Sequence, residues 1–383
     1  MVHPNRPFLK SVGMMIGAIV GVGVFGLPYA FAQGGVALGL LELLFLGTML
    51  VVLQLMLGEI VAQTPGHHRL VNYIGIYTGR FWKWVTLTAL SLGIWGALLA
   101  YMIVGGTFLH LLLSPVLGGD PTVYSYALAL IASTLVYGGL LLASRIEYFV
   151  VGALLFLFTF IILASAPQVD FSHYATLNLK NFFIPYGVIL FSLAGMGIVP
   201  ELKDVLGQKH QRMLSPVIMT GMGMILALYA LFAFVVVGVT GGDTSSMAFD
   251  GLVPQLGDTF LIVATLLGSL IILSIYMVLG IELLNTFKFD FNLRHKTAWF
   301  LVCIVPVVLF AIGMREFVYI IGFVGSVFGG ILCILVALSY WSMRRRGICR
   351  THHCINFPAP LTWLIILIFS AGIIWEVGTV LIK

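Results

Sequence analysis

The chain has 383 residues, 61% of them hydrophobic and only 9% charged, with a mean hydropathy of +1.11. A soluble domain carries roughly 25% charged residues, so this composition cannot clothe a water-facing surface and excludes a soluble globular protein. The net charge of +5 is accounted for by the loops and gives no sign of a nucleic-acid partner.

A bilayer core of about 30 Å takes about 20 apolar residues per helix. In chain order that ruler predicts eleven spans, at about 8–33, 36–63, 84–114, 122–143, 147–166, 182–206, 213–240, 257–286, 297–314, 317–342 and 359–381. The first has no small-x-small cleavage site and leads straight into the second, so it reads as a span and not a signal peptide. The stretch 66–83 between spans two and three mixes aromatics with bases and reads as an interfacial helix. With the N-terminus inside, 16 of the 19 lysines and arginines fall on the inner side, leaving Lys180, Arg315 and Lys383 outside. The outer loops carry acids instead: Asp120, Asp170, Asp243, Asp250 and Asp258. Such an asymmetry is the positive-inside rule. It predicts a single transmembrane domain, residues 1–383, in a plasma (inner) membrane, with the N-terminus cytoplasmic and the C-terminus outside.

Cys303 and Cys333 lie inside apolar spans, and Cys349 and Cys354 share a basic loop, so no disulfide framework is expected. The run Cys349-Arg-Thr-His352-His353-Cys354 departs from zinc-finger spacing and reads as a solvated loop, with no metal expected.

Spans one and six are unlike the others. The first contains Gly17-Ala-Ile-Val-Gly21-Val-Gly23-Val-Phe-Gly26-Leu-Pro28, and the sixth Phe191-Ser192-Leu-Ala194-Gly195-Met-Gly197-Ile-Val-Pro200-Glu201. Glycine costs about 1 kcal/mol in a helix relative to alanine, and proline removes a donor and clashes with the preceding turn. Both runs therefore predict unwound backbone at membrane depth. Unwound backbone cannot face lipid and persists only where it lines a cavity or is buried in protein. Glycines can also serve close helix packing, which is the better reading for Gly322, Gly325 and Gly329 of span ten. In spans one and six the correspondence decides: each interruption opens a set of five helices, and five being odd, the sets have opposite orientation. Paired interruptions at matching positions point to a transporter binding site. Half-helix N-termini suit a carboxylate and freed carbonyls an ammonium, the two ends of an amino acid.

These residues carry a resemblance. Gly21-Val-Gly-Val-Phe-Gly-Leu-Pro-Tyr-Ala-Phe-Ala-Gln-Gly34 resembles the first-helix signature of the amino acid/auxin permease family and of bacterial aromatic and hydroxy amino acid permeases. Both groups belong to the amino acid–polyamine–organocation superfamily. Leu57-Gly-Glu59-Ile-Val-Ala-Gln-Thr-Pro65 is similar to their second-helix exit, and Gly195–Asp204 to their sixth helix. Phe317–Gly325 followed by Arg344–Arg346 is similar to their tenth. The resemblance implies an all-α polytopic membrane protein with a five-plus-five inverted repeat, leucine-transporter-like, of residues about 8–166 and 182–342, plus an extra helix at 359–381. It implies a substrate carboxylate on the amides of Gly21, Val22 and Gly23, and an ammonium on carbonyls near Ala18 and Ile19. Phe191, Ser192, Ala194 and Gly195 match the sixth-helix pocket. The implied function is ion-coupled symport, by protons in preference to sodium, of neutral amino acids, aromatic or other hydrophobic ones among them, across the plasma membrane, without cofactor, nucleic acid or obligate protein partner, in contact with the lipid bilayer.

For the coupling ion, H+ or Na+, two sets of residues are available. Sodium-coupled relatives hold the ion between the first-helix break, here Gly17 and Val20, and span-eight hydroxyls, here Thr265, Ser269 and Ser274. Those hydroxyls equally suit bonds to their own i−4 carbonyls. For protons, Glu42 is the most membrane-embedded acid, whereas Glu59, Glu201, Glu282 and Glu376 lie nearer span ends. The bacterial aromatic permeases favour protons, although no lysine falls in span five, where some proton-driven members carry one. An amino acid sensor with little flux is the alternative; it would normally bring an extended cytoplasmic tail. An enzyme is not expected, since the spans bring no clustered catalytic groups.

Overall fold

The computed structural model describes residues 6–138, 140–175, 177–248, 251–252, 256–289, 291–348 and 355–382. The loop Cys349–Cys354, together with Asp250 and Lys383, lies outside them.

All the regular structure among the described residues is helical. The first span is two helices, α1 (Arg6–Ile19) and α2 (Leu27–Gly34), joined through Val20, Gly21 and a 3-10 turn over Val22–Gly26 and bent by 55°. Gly35, at φ 102°, turns the chain directly into α3 (Val36–Gln63), a setting that glycine takes without a Cβ penalty. Then come α4 (Leu70–Thr78), α5 (Arg80–Leu117), α6 (Pro121–Gly138) and α7 (Leu140–Ser165). The sixth span is again divided, into α8 (Phe183–Ser192) and α9 (Ile198–His210). Next are α10 (Leu214–Thr240), α11 (Asp258–Phe289), α12 (His295–Ala311) and α13 (Phe317–Phe323). A π-helical segment, Val324–Gly329, continues into α14 (Gly330–Arg345), and α15 (Ala359–Ile382) ends the chain.

Among the described residues, seven helices or helical runs are long and apolar enough to cross a membrane, and the bent pair α1–α2 makes an eighth. The expected fourth, sixth and ninth spans are not separate members of that set. Two expectations about boundaries change. Residues 144–146, expected to connect the fourth and fifth spans, are helical and belong to α7. The stretch 66–83 is not one interfacial helix. Arg80–Lys83 already belong to α5, and α4 buries Leu70, Tyr73, Ile74 and Tyr77.

The two divided spans sit at the centre. α1 packs on α10 and α9, α2 on α10 and α8, and α8 on α2, α3 and the π segment. α5 and α11 form the largest helix pair beside them, and α15 packs on α14 at the margin. The broken backbone thus lies among other helices, as unwound segments at membrane depth require.

Candidate functional site

Both breaks begin where glycine removes the helix's preference for its own geometry. Pro28 and Pro200 do not interrupt helices; each lies in the first turn of the half-helix that follows its break, where the missing N–H costs nothing. The breaks also touch each other. A Cβ on Gly23 would lie 2.7 Å from Ser192 Oγ, 2.8 Å from Phe191 Cδ1 and 2.9 Å from Ser192 Cα, and a Cβ on Gly195 would collide with Ile19. Glycine at these two positions is what lets the two unwound segments meet.

Two tyrosines from neighbouring helices hold them. The Val22 N–H donates to the hydroxyl of Tyr101 on α5 at 3.1 Å. The hydroxyl of Tyr229 on α10 donates to the Ser192 carbonyl at 2.9 Å and lies 3.4 Å from the Ile19 carbonyl. Tyr229 is fully buried, and its single hydroxyl ties one break to the other. Neither tyrosine stands out in the sequence, because a lone hydroxyl in a uniformly apolar helix gives no periodic signal.

A cavity of about 260 Å³ opens from this junction. Gly17, Ala18, Ile19, Gly21 and Gly23 line it from the first span, and Phe191, Ser192, Ala194 and Gly195 from the sixth. Ala18 and Ala194 are each exposed, and both border the cavity. Val22 and Val20 are fully buried and are not part of its wall. The Ser192 hydroxyl is engaged by its own helix, donating to Val188 at 2.7 Å. α5 adds Gly93, Ala97 and Tyr101, and α11 adds Ser274 and Val278. The π segment and α14, which the sequence reading left to helix packing, contribute Gly325, Phe328, Gly329 and Cys333.

From the breaks the cavity runs past Leu279 and Val151 to Leu70, Glu201 and Glu282, toward the face where α1 begins and where the basic loops lie. On the other side of the break lies a cluster of aromatic rings. Phe25 meets Phe108 edge-on at 5.5 Å, stacks on Phe158 at 5.8 Å and contacts Phe232 at 6.4 Å, and Phe158 meets Phe232 at 5.0 Å. All four are buried. Edge-to-face packing of this kind adds about 0.5–1.5 kcal/mol per pair beyond the area removed from water.

The residues named for ion coupling are scattered. Gly17 and Ser274 border the same cavity. Thr265 donates to the Leu261 carbonyl at 2.6 Å, its own i−4 partner. Ser269 and Glu42 are buried away from the cavity, and neither the Ser269 hydroxyl nor the Glu42 carboxylate has a hydrogen-bond partner among the described residues. Glu201 and Glu282, set aside at sequence level as span-end acids, are the carboxylates that border the cavity.

At the basic face, α9 is lashed to the end of α3. Lys203 Nζ donates to the Val61 carbonyl at 2.8 Å and to that of Thr64 at 3.0 Å, and Gln211 Nε2 donates to Ala62 at 3.1 Å. His67 and Asp204 are 2.7 Å apart beside them. Carbonyls at a helix C-terminus lack intrahelical partners and favour a cation. Lys203→Met is therefore expected to cost about 1–3 kcal/mol and to lower the thermal midpoint of the detergent-solubilised protein by several degrees. An unchanged midpoint would mean that water replaces the ammonium without loss.

Two discontinuous helices meeting at a buried cavity in an otherwise helical, lipid-exposed body define a membrane transporter. The solved structure of MhsT in complex with L-phenylalanine shares the fold, with a TM-score of 0.67 over 98% of each chain at 14% sequence identity. The model of the tryptophan/tyrosine permease family matches residues 5–376, and the chain belongs to that family. No curated protein matches the sequence. The broader amino acid permease resemblance thus narrows to the aromatic branch, and the amino acid/auxin permease label itself is not supported.

Proposed function

We propose that the protein is a secondary active symporter that moves aromatic amino acids across the plasma membrane, driven by protons. The observation that carries this reading is the junction of the two breaks on one cavity. Gly21 and Gly23 offer amide N–H groups at the start of a 3-10 turn, and Ala18 and Ala194 offer backbone at the ends of α1 and α8. A zwitterion's carboxylate and ammonium find opposite partial charges there. Apart from Ser274 and the two acids Glu201 and Glu282, the remaining wall is apolar and partly aromatic, which suits an uncharged ring. Family membership supports the aromatic class, and MhsT, in a complex with L-phenylalanine, has the same fold.

In this reading the chain crosses the membrane eleven times in two inverted sets of five plus one helix. The basic face is cytoplasmic, and the cavity, sealed by Phe25, Phe108, Phe158 and Phe232, belongs to an inward-facing state. The test is uptake of radiolabelled amino acids by the purified protein in liposomes. Uptake driven by an inside-alkaline pH step alone supports proton symport. An absolute need for sodium supports a second reading, in which the ion sits between Gly17 and Ser274. Absence of aromatic amino acid uptake under either gradient overturns the proposal.

Glu42 is the acid proposed to carry the coupling proton, because it is buried with neither oxygen hydrogen-bonded among the described residues. A charge in such a place is costly and is retained mostly for function. Glu42→Gln is expected to abolish pH-driven uptake. Unchanged pH dependence in that variant would remove Glu42 from the mechanism and leave Glu282, on the cavity wall, as the acid to replace next.

A further inference from the structure

The connection between α7 and α8 caps the C-terminal ends of two helices at once. Carbonyls in the last turn of a helix have no partner within it. On α10 the Gly238 carbonyl accepts both the Asp170 N–H and the His173 ring Nδ1, each at 2.9 Å. One turn earlier the Phe234 carbonyl accepts the Tyr174 hydroxyl at 2.9 Å. On α2 the Gly34 carbonyl accepts the Asn178 N–H and the Gln33 carbonyl the Asn181 side-chain amide, both at 3.0 Å. The two helices therefore share one capping segment.

The seat on α10 is shaped for its occupants. The Tyr174 ring stacks on Phe234 at 4.4 Å. A Cβ on Gly238 would collide with the Tyr174 hydroxyl, and one on Gly241 would stand 2.9 Å from His173 Cδ2. The connection itself contributes no core. Neither of its 3-10 turns, Phe171–Ala175 and Leu179–Asn181, buries a residue, and Phe171, Leu177 and Leu179 are exposed. Hydrogen bonds and a ring stack hold it in place, and an attachment with so little buried apolar surface is of the kind that opens at low cost.

Its position joins it to the aromatic cluster. Phe25 precedes α2, and Phe232 lies on α10 less than two turns before Gly238. These two rings are 6.4 Å apart, and a link between the ends of their helices limits how far they can part. We propose that residues 170–175 and 177–181 are a strap that holds α2 to α10 while the ring cluster is closed and gives way when it opens, with His173, Tyr174 and Asn181 as its positioning residues. This rests on the reading of the structure as the inward-facing state of an amino acid transporter. Weakening either seat then favours the opposite state. Losing one hydrogen bond that exists in only one of two states changes their ratio by roughly 2- to 10-fold, and apparent affinity on each face follows the fraction of protein that faces it.

The test is the apparent KM for labelled tryptophan or tyrosine, measured by counterflow in right-side-out and in inverted membrane vesicles. Tyr174→Phe, which keeps the ring stack, and Asn181→Ala, at the other seat, are each expected to lower the KM on the outer face about 2- to 10-fold without lowering it on the basic face. The exposed Leu177→Ser is expected to change neither. KM values equal to the parent's on both faces, with only the thermal midpoint lowered, would make the connection a permanent cap and overturn the strap. A fall or a rise common to both faces would overturn it as well. Should one variant fail to fold, the other still decides; failure of both would make the connection a folding element and not a strap. Absence of tryptophan and tyrosine transport by the parent protein would instead overturn the functional reading.

Discussion

Gly23→Ala is expected to reduce the initial rate of uptake by ten- to a hundredfold or more, with the protein still purifying as a single species. The added methyl would stand 2.9 Å from Ser192 Cα and 2.8 Å from the Phe191 ring. One of those atoms is backbone, so a rotamer change cannot relieve the overlap. Overpacking of this kind costs about 1–3 kcal/mol, and each 1.4 kcal/mol is tenfold in an equilibrium. Because the strain falls between the two breaks, it acts on the geometry of the amides proposed to bind substrate rather than on a remote core. A rate within twofold of the parent would show that the first and sixth spans separate before substrate binds.

Tyr229→Phe is expected to weaken apparent substrate affinity about tenfold. The substitution preserves the ring and its packing and deletes one hydroxyl. That hydroxyl is the donor to the Ser192 carbonyl, with the Ile19 carbonyl 3.4 Å away, and a buried acceptor left without a donor costs about 1–3 kcal/mol. The loss should be visible in a binding measurement on solubilised protein as well as in transport. An affinity equal to the parent's would reduce Tyr229 to a packing residue.

The two breaks were legible in the sequence because their signal is local. Gly21-Val-Gly23 and Gly195-Met-Gly197, each followed by proline, act on the backbone within a few residues. The span limits of α3, α10 and α15 were equally legible, since a run of apolar residues is its own ruler. What could not be read was which side of each helix faces the cavity. α5 and α11 are apolar all round, so lipid-facing and protein-facing positions carry the same residue types and no periodicity separates them. Tyr101, Phe328 and Gly93 were invisible for that reason. The π turn at Val324–Gly329 was hidden by the same glycines that suggested tight packing; Gly325 does pack so, against Gly187, whereas Gly329 does not. Position alone could not place Glu282 on the cavity. Seven residues from the end of α11, it still borders the cavity, because the cavity itself extends to that depth.

The cluster of Phe25, Phe108, Phe158 and Phe232 has an electrical consequence. In the proposed inward-facing state these rings would exclude water and ions, so the transmembrane voltage would drop across them, while the cavity would stay near the potential of the adjoining solution. A charge that crosses such a layer exchanges about 2.3 kcal/mol per 100 mV. If the proposed ion coupling holds, ion binding from the basic side should therefore be nearly insensitive to voltage. The voltage dependence of the cycle should reside in the rearrangement that opens these rings and seals the other side.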